Sequence, residues 1–192
     1  MGFYVVGIRA GEIENGSLTP KSKHKLEETV DKLRDFERIY RSSDPVIYSG
    51  KSPEEEMSAK LVAELFGEGY RVKSMFFTRR KLLFFSKKIP VSPSIKVFDK
   101  WLSKLYWKGA DVVIGVWEGK LLQEHLEQRQ RFNPKEVEPL KPGECYITED
   151  HGDRLCTEED HKAIFPSRNL EIIIGYTKKL NRWARQLQLK II

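Results

Sequence analysis

The residues best placed to do chemistry stand where an apolar run stops. Phe3–Ile8 is followed at once by Arg9-Ala10-Gly11-Glu12, the way a buried strand delivers a loop to the edge of a sheet. Ala10 occupies the place where a reactive side chain would be sought, and a methyl group cannot attack, coordinate or carry a proton. Arg9 reads either as an anion clamp or as the buried partner of a carboxylate such as Glu12 or Glu54. A second concentration is FFTRRKLLFFSKKIPVSPS, residues 76–94. It interleaves Phe76, Phe77, Phe84 and Phe85 with Arg79, Arg80, Lys81, Lys87 and Lys88. Cations among aromatics suit a nucleic-acid strand or an anionic membrane surface; the same pattern also suits an edge strand or hairpin guarded by its lysines. Cys145, His151, Cys156 and His161 invite a zinc reading, but the spacing lacks paired knuckles and no metal site is assigned. His24, His125, His151 and His161 lie on polar stretches and are read as surface residues.

These residues need elements to hold them. Thr19 as cap and Pro20 at the first helical position start a helix through LTPKSKHKLEETVDKLRDFERIY. PVIYS is a second short strand, followed by a helix with Ser52 and Glu55 as its capping box and Gly67 at its end. Glu54, Glu55 and Glu56 then fall in a first turn, where negative charge suits the helix dipole. YRVKSMFF reads as a strand, PSIKVFDKWLSKLYWKG as an amphipathic helix, DVVIGVW as a buried strand and GKLLQEHLEQRQRF as a helix. KEVEPL and GECYITED read as strands joined by a turn at Pro142-Gly143. NLEIIIGYTKKLNRWARQLQL reads as a closing helix. The alternation predicts an α/β sandwich with a mostly parallel sheet.

The chain's 192 residues suit one domain, 1–192, with 76–94 as a variable insertion near the pocket, and 40% apolar content can fill a core. Lys and Arg exceed Asp and Glu by 34 to 28, a net +6 that permits a polyanionic partner without requiring one. Two cysteines form no disulfide framework and fit a reducing compartment. No leader or membrane-length apolar run is read, so a cytoplasmic location is expected.

The order of the pieces resembles the histidine phosphatase (phosphoglycerate mutase-like) superfamily, nearest its small phosphohistidine phosphatase branch. There a first strand ends in Arg-His-Gly-Glu and a helix opens with Leu-Thr-x-x-Gly; here Arg9-Ala10-Gly11-Glu12 precedes Leu18-Thr19-Pro20-Lys21-Ser22. The superfamily's second strand ends in Tyr-Ser-Ser-Pro and leads to Arg-Ala-x-Gln-Thr-Ala; this chain reads Tyr48-Ser49-Gly50-Lys51, then Glu54-Glu55-Glu56-Met57-Ser58-Ala59. The late strand ending in His-Gly-Gly corresponds to Trp117-Glu118-Gly119. The match covers most of residues 3–126 and implies a three-layer sandwich.

The resemblance also implies a chemistry that the residues do not support. A histidine nucleophile, two arginines and a second histidine would pass a phosphoryl group through a phosphohistidine. Here only Arg9 survives. Ala10 replaces the nucleophile, Glu54 reverses the second arginine's charge, and Trp117, which can only donate one hydrogen bond, replaces the second histidine. Trp117 reads either as core packing or as a ligand platform. The degenerate pocket is thus Arg9, Ala10, Gly11, Glu12, Ser49, Glu54, Trp117 and Glu118. Arg9, Lys51, Lys120, Arg79, Arg80 and Lys81 are candidate anion-binding cations. An Arg9–Glu54 pair would fill the old phosphate site with the protein's own charges. The leading expectation is a catalytically silent binding or regulatory module with no cofactor, whose partner is a small anion or a protein. A phosphohydrolase with replaced catalytic groups and a polyanion-binding protein acting through residues 76–94 are the alternatives.

Overall fold

The computed structural model describes residues 3–34, 46–67, 69–75, 78–79, 89–90, 94–129, 138–150, 161–168 and 170–174. The first apolar run is β1 (Phe3–Arg9). A hairpin of β2 (Ile13–Glu14) and β3 (Ser17–Leu18) follows. Its turn residues Asn15 and Gly16 have φ of 51° and 76°, the left-handed pair that an Asn-Gly hairpin turn adopts. In α1 (Pro20–Arg34) the Ser22 N–H donates to Thr19 Oγ1 at 3.2 Å, so Thr19 caps as expected. After β4 (Val46–Ser49) comes α2 (Pro53–Phe66), which carries the complete Ser52–Glu55 capping box. Then come β5 (Arg71–Ser74), the paired β6 (Thr78–Arg79) and β7 (Ile89–Pro90), and α3 (Ile95–Trp107). The chain continues through β8 (Val112–Trp117), α4 (Gly119–Arg129), β9 (Cys145–Asp150), β10 (His161–Phe165) and β11 (Leu170–Ile174).

The sheet order is β11-β10-β9-β1-β8-β4-β5. β1, β8, β4 and β5 are parallel neighbours, while β9, β10 and β11 extend the sheet with antiparallel pairings. Period-2 alternation sorts the strands between two cores. Val6, Ile8, Ile47, Ile114 and Val116 face α1 and α2, which contribute Leu26, Val30, Leu33, Val62 and Phe66. Phe3, Val5, Val113, Trp117 and Tyr146 face α3 and α4, which contribute Phe98, Leu102, Leu122 and Leu126. The result is the three-layer sandwich expected. Among the described residues no helix is long and apolar enough to cross a membrane.

Two sequence expectations change. The start of the expected closing helix is a strand: the β-branched run Ile172–Ile174 pairs with β10, because branched side chains fit a pleated surface better than a helical turn. The remainder of that helix lies outside the described residues. Glu138-Pro139-Leu140 is irregular rather than a strand; proline has no N–H to give a ladder. Of the 76–94 stretch, the β6–β7 pairing agrees with the hairpin reading, and Arg80, Lys81 and the four phenylalanines lie outside the described residues.

Two glycines explain how bulky rings fit mid-sheet. Gly7 and Gly115 are register partners on the α3–α4 face. A Cβ at Gly7 would lie 2.6 Å from the Tyr146 ring, and one at Gly115 would lie 2.0 Å from the Trp117 indole. The indole lies back along its own strand into a notch that only glycine leaves open. Gly115→Ala is therefore expected to destabilise the fold by about 1–3 kcal/mol through overpacking, read as a lower denaturant midpoint. An unchanged midpoint would show that the ring has another place to go.

Candidate functional site

The carboxyl ends of β1, β8 and β4 lie side by side, with Arg9 opposite Trp117 and Ser49 opposite Val116. In an open α/β sheet the crevice at such ends is where a ligand binds. The backbone segments expected to form the pocket therefore do converge, and the Ala10 N–H donates to the Trp117 carbonyl at 3.0 Å. Their side chains do not converge. Trp117 is 1% exposed and packs edge-on to Phe98, with ring centroids 4.9 Å apart. Its indole N–H reaches Met75 Sδ at 3.2 Å. This is the core-packing reading, and the ring offers no platform to a ligand. Arg9 Nη1 donates to the Leu140 carbonyl, and the guanidinium lies against Gly119, where a Cβ would come within 2.9 Å of Nε. The Arg9–Glu54 pair is not formed; Arg9 ties the 138–144 loop to the end of β1 instead.

Five backbone donors around the crevice are met from within the fold. Gly11 N–H donates to Ser58 Oγ and Glu12 N–H to Ser22 Oγ, both at 2.9 Å. Gly50 N–H goes to the Val116 carbonyl at 3.2 Å. Two further donors share one acceptor, the Glu55 carboxylate. Its Oε2 accepts from Ser52 N–H at 2.9 Å and its Oε1 from Glu118 N–H at 3.0 Å. Glu55 thereby bridges the start of α2 to the loop after β8. Burial raises its pKa above the ordinary glutamate value, and the Glu118 carboxylate adds to that; the Ser52 and Glu118 donors work in the opposite direction.

Glu55 reaches this position because residue 50 is glycine. A Cβ there would lie 2.1 Å from the Glu55 carboxylate. In the superfamily pattern residue 50 corresponds to a serine and residue 55 to an alanine. In this structure the two positions share one space: the side chain that Gly50 lacks and the Glu55 carboxylate could not both fit. The capping box was legible in the sequence, since Ser52 and Glu55 are three apart. The carboxylate's second acceptor role was not, because Glu118 is 63 residues away along the chain.

Of the other sequence candidates, only Glu118 takes part in this cluster, through its backbone N–H and the nearby charge of its carboxylate. Glu54 and Glu118 are half-buried, and Lys51 and Lys120 are exposed. Arg79 is placed only by its backbone in β6, and His151 and Cys156 lie outside the described residues. His125 is not a surface residue: it is 0% exposed, with Nδ1 2.7 Å from the Tyr146 hydroxyl. The signal was its place among Leu121, Leu122 and Leu126, one helical face. The 138–144 loop is held from its far side by Arg168, which donates to the Glu138 and Pro139 carbonyls and pairs with Glu144. Burial works against the Glu144 charge, but Arg168 and the Lys141 N–H outweigh it and lower the pKa. Beside that loop a groove of about 520 Å³ sets Lys21, Lys25 and Lys141 against Glu12, Glu28 and Glu144, so it presents no net sign.

No protein-family model and no curated protein matches the sequence. Solved structures do match the fold. A mycobacterial glucosyl-3-phosphoglycerate phosphatase superposes with a TM-score of 0.54 at 11% identity, covering 79% of this chain and 92% of that one. The protein histidine phosphatase SixA complexed with tungstate gives 0.54 at 9% identity, covering 90% and 97%. This chain has the phosphoglycerate mutase-like fold of those phosphatases.

Two outcomes follow from the Gly50–Glu55 contact. Gly50→Ser should cost about 1–3 kcal/mol in the wild-type background and much less beside Glu55→Ala. Additive costs in a double-mutant cycle would show that the two residues do not compete for one space. A raised pKa in the fold means that protonation of Glu55 favours the folded state. Its charge therefore costs stability at neutral pH, and stability is recovered as pH falls through the raised pKa toward the ordinary value of about 4.3. The urea midpoint of the wild type, relative to Glu55→Gln, should rise between about pH 7 and about pH 4.5; a flat difference would contradict the burial argument.

Proposed function

We propose that this protein, built on the fold of the histidine phosphatases, performs no phosphoryl transfer and acts as a binding or regulatory module. The observation that carries the reading is the Glu55 carboxylate, lodged among backbone donors at the carboxyl ends of β4 and β8. A phosphoryl group entering there would meet a buried negative charge. Two like charges about 4 Å apart repel by roughly 4 kcal/mol at an effective dielectric near 20. It would also have to displace hydrogen bonds that the fold already makes.

The residue at the nucleophile's position supports the same reading. Covalent phosphoryl transfer needs a lone pair that attacks phosphorus as the ester oxygen leaves, and Ala10 has none. A histidine at position 117 would have to occupy the space of an indole packed on Phe98 and Gly115, away from Ala10. Arg9, the one retained cation of the pattern, is spent on the Leu140 carbonyl. What remains is a scaffold whose loops are held rigidly at the sheet edge.

A solved neighbour of this fold holds tungstate, which gives a direct contrast. Tungstate should leave the melting temperature of this protein unchanged, because an oxyanion that does not bind the native state does not stabilise it. The purified chain should release no phosphate from an aryl phosphate above background and acquire no acid-labile phosphate label. Ala10→His should not restore turnover while Glu55 is present. Turnover that co-purifies with the chain and is lost in a folded Arg9→Ala variant would overturn the reading and make the protein a phosphohydrolase.

A further inference from the structure

We infer that the exposed face of α3 is a docking surface for an anionic phospholipid bilayer. The face lies on described residues throughout and is separate from the crevice. Lys96, Lys100, Lys104 and Lys108 recur every fourth residue, all exposed. At 1.5 Å per residue the row spans about 18 Å, drifting slowly around the helix. Among the described residues none of the four forms an ion pair or a side-chain hydrogen bond. Asp99, the helix's one acid, is half-buried rather than exposed.

Two apolar side chains stand out of the same face. Trp107 is 64% exposed and Val97 45% exposed. Trp107 lies one turn from Lys104, and Val97 one turn from Lys100. The opposite stripe is committed to the core: Phe98 and Leu102 are buried, and Ile95, Trp101, Leu105 and Tyr106 pack on the same cluster. The exposed tryptophan is therefore not an unburied core residue that could rotate inward. Its place is fixed by the helix end. The Ala110 N–H donates to the Leu105 carbonyl at 3.1 Å and Gly109 N–H to that of Tyr106 at 2.9 Å. Gly109 at φ 82° completes this left-handed cap.

The chemistry of the face selects the partner. α3 contains no arginine, asparagine or glutamine, the side chains that read base edges by paired hydrogen bonds. Lysine ammoniums on flexible stems need no register, which suits laterally mobile lipid phosphates, and the stems can lie along the surface while the charges stay in water. A tryptophan beside such a row has an apolar body and one N–H donor, the combination that settles at headgroup level. The face is a convex ridge, so it fits a broad surface better than an enclosed ligand.

The test is sedimentation of the full chain with vesicles of phosphatidylcholine, alone or mixed with phosphatidylglycerol, at low and physiological salt. The wild type should bind the mixed vesicles, should not bind the neutral ones, and should weaken with salt. Each lysine near an anionic surface contributes about fivefold, so changing Lys96, Lys100, Lys104 and Lys108 together to Ser should weaken binding about six-hundredfold. Trp107→Ser should weaken it several-fold, and neither variant should shift the melting temperature. Absence of binding to mixed vesicles would overturn the inference, as would equal binding by the lysine variant. Loss only when Arg79, Arg80 and Lys81 are changed would move the contact off α3 and also overturn it. Tighter binding to single-stranded DNA than to vesicles, indifferent to Trp107→Ser, would make the partner a nucleic acid instead.

Discussion

The ends of parallel strands leave backbone donors that need acceptors, and in this protein the fold supplies acceptors for several of them itself. A buried N–H without a partner costs on the order of 1–3 kcal/mol, so a crevice at the end of a sheet has to be filled by water, a ligand or protein. Glu55 does this for Ser52 and Glu118, Ser58 for Gly11 and Ser22 for Glu12. The arrangement joins α1 and α2 to the loops after β1 and β8. Removing Glu55 would therefore unmake a cap and an inter-loop tie together. The cost of this solution is a carboxylate held where burial disfavours its charge.

The same logic governs the other side of the crevice. Arg9 and Arg168 both donate to carbonyls of the irregular 138–140 segment. That segment makes no ladder to satisfy its own carbonyls, and proline at 139 contributes no donor. Two guanidiniums approaching from β1 and from the turn before β11 replace the missing sheet bonds, and Glu144 balances one of them. Arg9 thus has a structural use that needs no ligand.

Much of this was legible in the chain, and the illegible part has a common cause. The strands near the site, Val46–Ser49 and Val112–Trp117, were legible because period and apolar runs are local properties, whereas their order is not a local property. The Thr19 and Ser52 caps were legible for the same reason. The role of Glu55 beyond its cap and the tie from Arg9 to Leu140 depend on residues far along the chain. An apolar run such as Leu170–Ile174 was ambiguous between helix and strand because its outcome was set by the availability of β10 as a pairing edge.

Fold and chemistry separate cleanly at two positions. Gly115 and Trp117 are coupled by shape, since the indole fills the notch the glycine leaves; Gly50 and Glu55 are coupled in the same way on the crevice side. In each pair a missing side chain makes room for a large or charged one that the bare scaffold could not accept. A side chain added at either glycine would therefore create a clash. Ala10 stands apart, since it is small and half-buried with no such partner, and a histidine there would still face an occupied crevice. The carboxyl ends of β1, β4 and β8 converge on a carboxylate that accepts from two of their loops.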